Sequence, residues 1–82
     1  MIDFATSAER YLILVEGGPP SNYSAWSPDL IGCVATGAGV EACVAAMHDA
    51  IVLHLQGMAE DGDAIPAPSG PGVYVARQAT AA

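Results

Sequence analysis

Apolar and polar positions change period along this 82-residue chain. Arg10–Glu16 (RYLILVE) is apolar at consecutive central positions and ends at Gly17-Gly18-Pro19-Pro20. A short β-rich run without alternation predicts a strand covered on both faces, in the interior of a sheet. The glycine–proline cluster that follows is turn chemistry. Tyr23–Ser27 (YSAWS) puts Tyr23, Ala25 and Ser27 on one face and Ser24 and Trp26 on the other. That alternation predicts a second strand, paired with the first as a hairpin. Pro28-Asp29 then interrupts the ladder, because proline lacks the backbone donor. A short third strand is predicted over Cys33–Thr36, ended by Gly37-Ala38-Gly39. Residues 1–9 show no period and read as a loose arm.

From Val40 the period becomes helical. Val40, Cys43, Val44, Met47, Ile51, Leu55 and Met58 follow the three-and-four spacing of one helix face, with Glu41, Asp49, Gln56 and Glu60 opposite. Asp61-Gly62-Asp63 supplies the stop, with Gly62 suited to a left-handed cap. An extended linker over 65–72 leads to a fourth short strand, Val73–Arg77, and a tail. The order β-β-β-α-β predicts an α+β fold. An antiparallel three-stranded meander is followed by a crossover helix that returns strand four beside strand one, parallel to it. One domain is expected over residues 1–82, with its core at about 10–77.

Composition adds an interface to this picture. A domain of this size buries only about 60–65% of the surface its unfolded chain exposes. Yet hydrophobic residues make up 52% of the chain and charged residues 13%. Excess apolar surface on a thin core predicts a homodimer or a dimer of dimers. Net charge is −7, with Arg10 and Arg77 the only Lys or Arg residues. Direct nucleic-acid binding needs many cations against phosphates, so it is excluded as the main role. An acidic field favours a basic partner instead. The start Met1-Ile2-Asp3 has no basic leader-like region, and the apolar runs are shorter than a membrane span needs. The expected location is therefore the cytoplasm, with no membrane contact and with Cys33 and Cys43 as buried thiols.

Candidate chemistry is sparse. Glu16, Asp29 and Asp49 are carboxylates of the kind that pair around Mg²⁺, but the predicted elements place them at different ends or on opposite faces. His48 and His54 lie six apart and do not form an i, i+4 metal pair. His54 falls inside the apolar stripe and reads as a core or interface histidine. Cys33 with His54 would make a nucleophile and base, but no orienting third residue or oxyanion loop accompanies them. Gly37-Ala38-Gly39 lacks the completion of a phosphate loop and reads as a tight strand-to-helix turn. No catalytic residue, metal or cofactor is predicted.

The segment Tyr23-x-x-Trp26-Ser27-Pro28-Asp29-Leu30-x-Gly32-Cys33-x-x-Thr36-Gly37 resembles the strand-turn-strand signature of HicB-type antitoxins. Glu41-Ala42, then His54-Leu55-Gln56-Gly57-Met58-x-Glu60-Asp61-Gly62, then Ile65-Pro66-x-Pro68, resemble their helix and its exit. The resemblance implies a partial RNase H-like fold and, as a function, neutralisation of a small basic RNA-cleaving toxin, HicA, by covering its active surface. Pro28, Asp29, Leu30, Gly32, Cys33 and His54 are read as structural and not catalytic, with Pro28 fixing the backbone and Gly32 permitting an unusual dihedral. Leu30 is expected to tuck under the turn. Many HicB antitoxins continue into a DNA-binding domain; this chain lacks the basic residues for one, and none is expected. Exposed carboxylates on the helix and its exit, Glu41, Asp49, Glu60, Asp61 and Asp63, are the expected contacts to a basic partner. The alternative is an orphan oligomeric module that binds another protein or a small ligand.

Overall fold

The computed structural model describes residues 3–18, 22–68 and 74–78. Their elements run α1 (Phe4–Ala8), β1 (Ile13–Gly17), β2 (Tyr23–Ser27), β3 (Leu30–Gly37), α2 (Val40–Asp61) and β4 (Tyr74–Gln78). The fold is α+β, with three antiparallel strands followed by a helix. Strand order in the sheet is β3-β2-β1-β4, and β4 runs parallel to β1.

The interior reading of the first strand follows from its place between β2 and β4. Ile13 and Val15 are buried under α2, while Leu14 and Glu16 are half-buried on the other face. On β2, Ala25 and Ser27 turn inward and Ser24 and Trp26 outward. Register aligns Leu14, Trp26 and Val34 in one row across the outer face. Val15, Ala25 and Ala35 form the matching row beneath the helix.

Helix α2 closes the core with Cys43, Met47, Ile51 and Leu55, all fully buried. These positions repeat every four residues and so hold one stripe against the sheet. A left-handed Gly62, φ 76°, stops the helix. The Asp63 N–H donates to Met58 O at 2.9 Å and the Gly62 N–H to Ala59 O at 3.2 Å. This paired closure is a Schellman motif, and it fixes where Asp63 projects. By length and composition α2 is also long and apolar enough to cross a membrane. The expectation from apolar runs overlooked this because His48, Asp49 and His54 interrupt any continuous run. Its apolar stripe is engaged by the sheet, so the helix is read as a core helix.

Two sequence expectations are corrected. The arm over residues 1–9 contains a helix. Asp3 caps it: its carboxylate accepts from the Thr6 N–H at 3.2 Å and from the Thr6 hydroxyl at 2.7 Å, and its carbonyl accepts from the Ser7 N–H. Five residues are too few for a period to show, but one cap and a buried Ala8 suffice to dock them. The third strand is also longer than Cys33–Thr36. It begins at Leu30, immediately after the Pro28-Asp29 turn, and carries a bulge at 31–33. Gly32 sits in that bulge at φ 84°, where a side chain would be strained. The apolar period fails across the bulge, which hid the strand's first half. The tail beyond residue 78 and the linker over 69–73 lie outside the described residues.

Candidate interaction surfaces

The Pro28-to-Cys33 signature spans the turn into β3 and the first half of that strand. Leu30 is buried beneath the turn, as expected, and Cys33 joins it in the core. Pro28 is exposed, and Asp29 is half-buried near Tyr11, whose pKa is raised by its burial and further by the Asp29 charge. The bulge that Gly32 permits throws Ile31 outward, 94% exposed. Burial also raises the Cys33 thiol pKa. A thiol held protonated is a poor nucleophile, which argues against the Cys33–His54 pair as chemistry even though both line one groove. Cys43 is likewise free and buried with a raised pKa, its Sγ 4.0 Å from Ala35 O. Among the described residues no group of three His, Cys, Asp or Glu side chains is placed to hold a metal ion.

All five expected contact carboxylates are exposed, but they do not form one patch. Glu41 lies in the first turn of α2 and Glu60 near its end, about 28 Å apart at the helical rise. Asp49 projects from the middle. Asp61, one residue after Glu60, turns about 100° away from it. Glu60, Asp61 and Asp63 instead gather at the helix exit. The last turn carries no basic residue. Three carboxylates therefore add to the partial negative charge of the helix C-terminus, making this end of α2 a concentrated negative field. Positions 60, 61 and 63 are neighbours in the sequence, so their closeness at the helix exit is already legible there.

Two concave features were not anticipated. A cavity of about 270 Å³ lies between α1, the end of α2 and the linker, lined by Phe4, Ser7, Arg10, Tyr11, Leu55 and Ile65 among others. It falls just below the usual range for small-molecule sites, about 300–1,000 Å³. An open groove runs between the start of β3 and α2, lined by Gly32, Cys33, Val34, Ala50, Leu53 and His54. Val34 and Leu53 are 66% and 69% exposed there. The signal for this groove was present in the sequence as Leu53, an apolar residue outside the buried stripe. His54 sits at the stripe's edge, half-buried, and His48 is half-buried too.

Against known proteins, residues 11–80 match a family model described as the HicB_like antitoxin of bacterial toxin-antitoxin systems. No curated protein and no solved structure matches the chain.

Proposed function

The chain belongs to the HicB-like antitoxin family of bacterial toxin–antitoxin systems, and from that premise we propose that it neutralises a small basic RNA-cleaving toxin of the HicA type by covering its active surface. Family membership implies an antitoxin role and a toxin partner. The finer reading is supported by one observation above the others: the grouping of Glu60, Asp61 and Asp63 at the exit of α2, whose last turn holds no basic residue. An RNA-cleaving toxin must present cations to phosphates, and those cations are what such a grouping attracts.

Exposed ion pairs are individually worth only about 0–1 kcal/mol. Affinity must therefore come mainly from apolar contact, with charge setting encounter rate and partner choice. In this reading the chain is a binding protein and not an enzyme, works in the cytoplasm, and associates with itself as a homodimer or a dimer of dimers. The orphan-module alternative draws on the small cavity beside α1.

The test is co-expression with the product of a neighbouring short, Lys-rich reading frame. Growth arrest by that product alone, relieved by this chain, is the expected result. A neighbour that is harmless, or whose toxicity this chain leaves unchanged, favours the orphan-module reading.

A further inference from the structure

We propose that the cavity between α1, the end of α2 and the linker binds a small apolar carboxylate, with Arg10 meeting the anionic head and the apolar lining its hydrocarbon body. This goes beyond the antitoxin reading and gives a ligand class to the small-ligand alternative. Its test needs no toxin.

The turn that leaves α1 builds the polar side of the cavity. The Arg10 N–H donates to Ser7 O at 3.0 Å, and the Tyr11 N–H donates to Ala8 O at 3.4 Å. These bonds place Ser7, Arg10 and Tyr11 along one wall. Tyr11 is buried, and its hydroxyl is committed to the Pro66 carbonyl. That bond holds the linker beside the wall. The Ser7 hydroxyl and the exposed Arg10 guanidinium are the side-chain donors left on the described lining.

The rest of the lining is apolar. Phe4 comes from α1, Leu55 from α2, and Ile65 and Pro68 from the linker. Leu55 is fully buried, so the cavity reaches the core. Its 270 Å³ equals roughly nine waters at about 30 Å³ each, room for a ligand of about ten non-hydrogen atoms. A hydrocarbon body of that size gains by leaving water here.

Charge sets the head group. Arg10 and Arg77 are the only Lys or Arg residues, against nine carboxylates. Arg77 lies at the β4 register position beside Glu16. Arg10 lines the cavity, and among the described residues no carboxylate shares that lining. Glu9 precedes Arg10, and the Asp29 charge reaches Tyr11, but neither residue is part of the wall. A cationic ligand, or a lysine of a basic toxin, would meet Arg10 and be repelled. A carboxylate instead gains a charge-assisted hydrogen bond from the guanidinium.

The experiment is a chemical-shift titration of the isotope-labelled full chain with octanoate, and with octan-1-ol and octylammonium as matched probes. It compares wild type with Arg10→Gln and Ile65→Glu, both at exposed residues, and circular dichroism checks that each variant is folded. The expected result is saturable shifts at Phe4, Ser7, Leu55 and Ile65, with octanoate bound tightest and octylammonium weakest. Arg10→Gln should weaken octanoate about fivefold, the scale of one exposed charge contact, and leave octan-1-ol unchanged. Ile65→Glu, which sets a carboxylate on the lining, should weaken octanoate more than octan-1-ol. Octan-1-ol or octylammonium bound as tightly as octanoate, or octanoate binding unchanged by Arg10→Gln, overturns the anionic head group. Absence of saturable shifts with all three probes overturns the site. Either failure leaves the antitoxin reading standing, because no toxin enters the measurement.

Discussion

The Tyr11 hydroxyl donates a hydrogen bond to the carbonyl oxygen of Pro66, joining the segment that enters β1 to the chain that leaves α2. Tyr11 is buried, and Pro66 is half-buried. The bond spans 55 residues of sequence, so it fixes the path of the linker after the helix. Tyr11→Phe keeps the ring and removes the bond. The expected loss of unfolding free energy is about 0.5–1.5 kcal/mol, read from urea denaturation. The 65–68 segment should also become more sensitive to proteolysis.

Alkaline pH should destabilise the fold. The Tyr11 pKa is raised from 10.0 by burial and by the nearby Asp29, with Arg10 pulling the other way. Burial raises Cys33 and Cys43 from 9.0. Each group is neutral when protonated, and folding favours that form. Their contribution is therefore complete below the unfolded values of 9.0 and 10.0 and is lost as pH rises through the folded ones. Urea midpoints under reducing conditions should hold steady near neutrality and fall above pH 9.0, and Tyr11→Phe should flatten the part of the fall above 10.0. A midpoint independent of pH in that window contradicts the assignment.

Ser27 is buried at the bulge, and among the described residues its Oγ has no hydrogen-bond partner. An unsatisfied buried hydroxyl costs about 1–3 kcal/mol. Ser27→Ala removes the group with little change of volume. It should leave stability unchanged or raise it by up to about 1 kcal/mol, measured as a shift in thermal midpoint. A clear loss of stability would mean that the hydroxyl is satisfied in solution.

The two ends of β3 are anchored differently. Leu30→Ala empties a site that is 2% exposed and should cost about 2–4 kcal/mol. At the other end, a Cβ on Gly37 would lie 2.6 Å from Cys43 N and 2.8 Å from its Cα. Backbone cannot yield as a side chain can, so Gly37→Ala should force β3 and α2 apart and cost about 1–3 kcal/mol. Denaturation of both variants tests this. A Gly37→Ala protein as stable as wild type would contradict the close approach.

Much of this was legible in sequence because the periods are clean. YSAWS alternates, and the helix repeats Cys43, Met47, Ile51 and Leu55 on one side, so β2 and α2 emerge with correct faces. Gly62 was readable as a cap because a left-handed stop calls for glycine. What stayed hidden depends on tertiary placement. Helix α1 has one capping aspartate and five residues, too little for periodicity. The first half of β3 is masked by a bulge that breaks alternation. The carboxylates Glu60, Asp61 and Asp63 were legible as sequence neighbours, whereas the Schellman closure that ends the helix between them is a structural finding. The groove beside Leu53 needed the strand order, which no local pattern supplies.

The central claim is that the negative exit of α2 recruits a basic toxin, and one measurement tests it most directly. Stopped-flow association with the neighbouring basic toxin is followed at two ionic strengths, for wild type and for Glu60→Gln, Asp61→Asn and Asp63→Asn combined. These groups are exposed and oppose the helix dipole, so the triple variant should fold as stably as wild type or slightly more so. The account predicts that its association slows and loses salt dependence, while dissociation changes less. Wild-type association that is insensitive to salt, or a triple variant that binds at the wild-type rate, would contradict it.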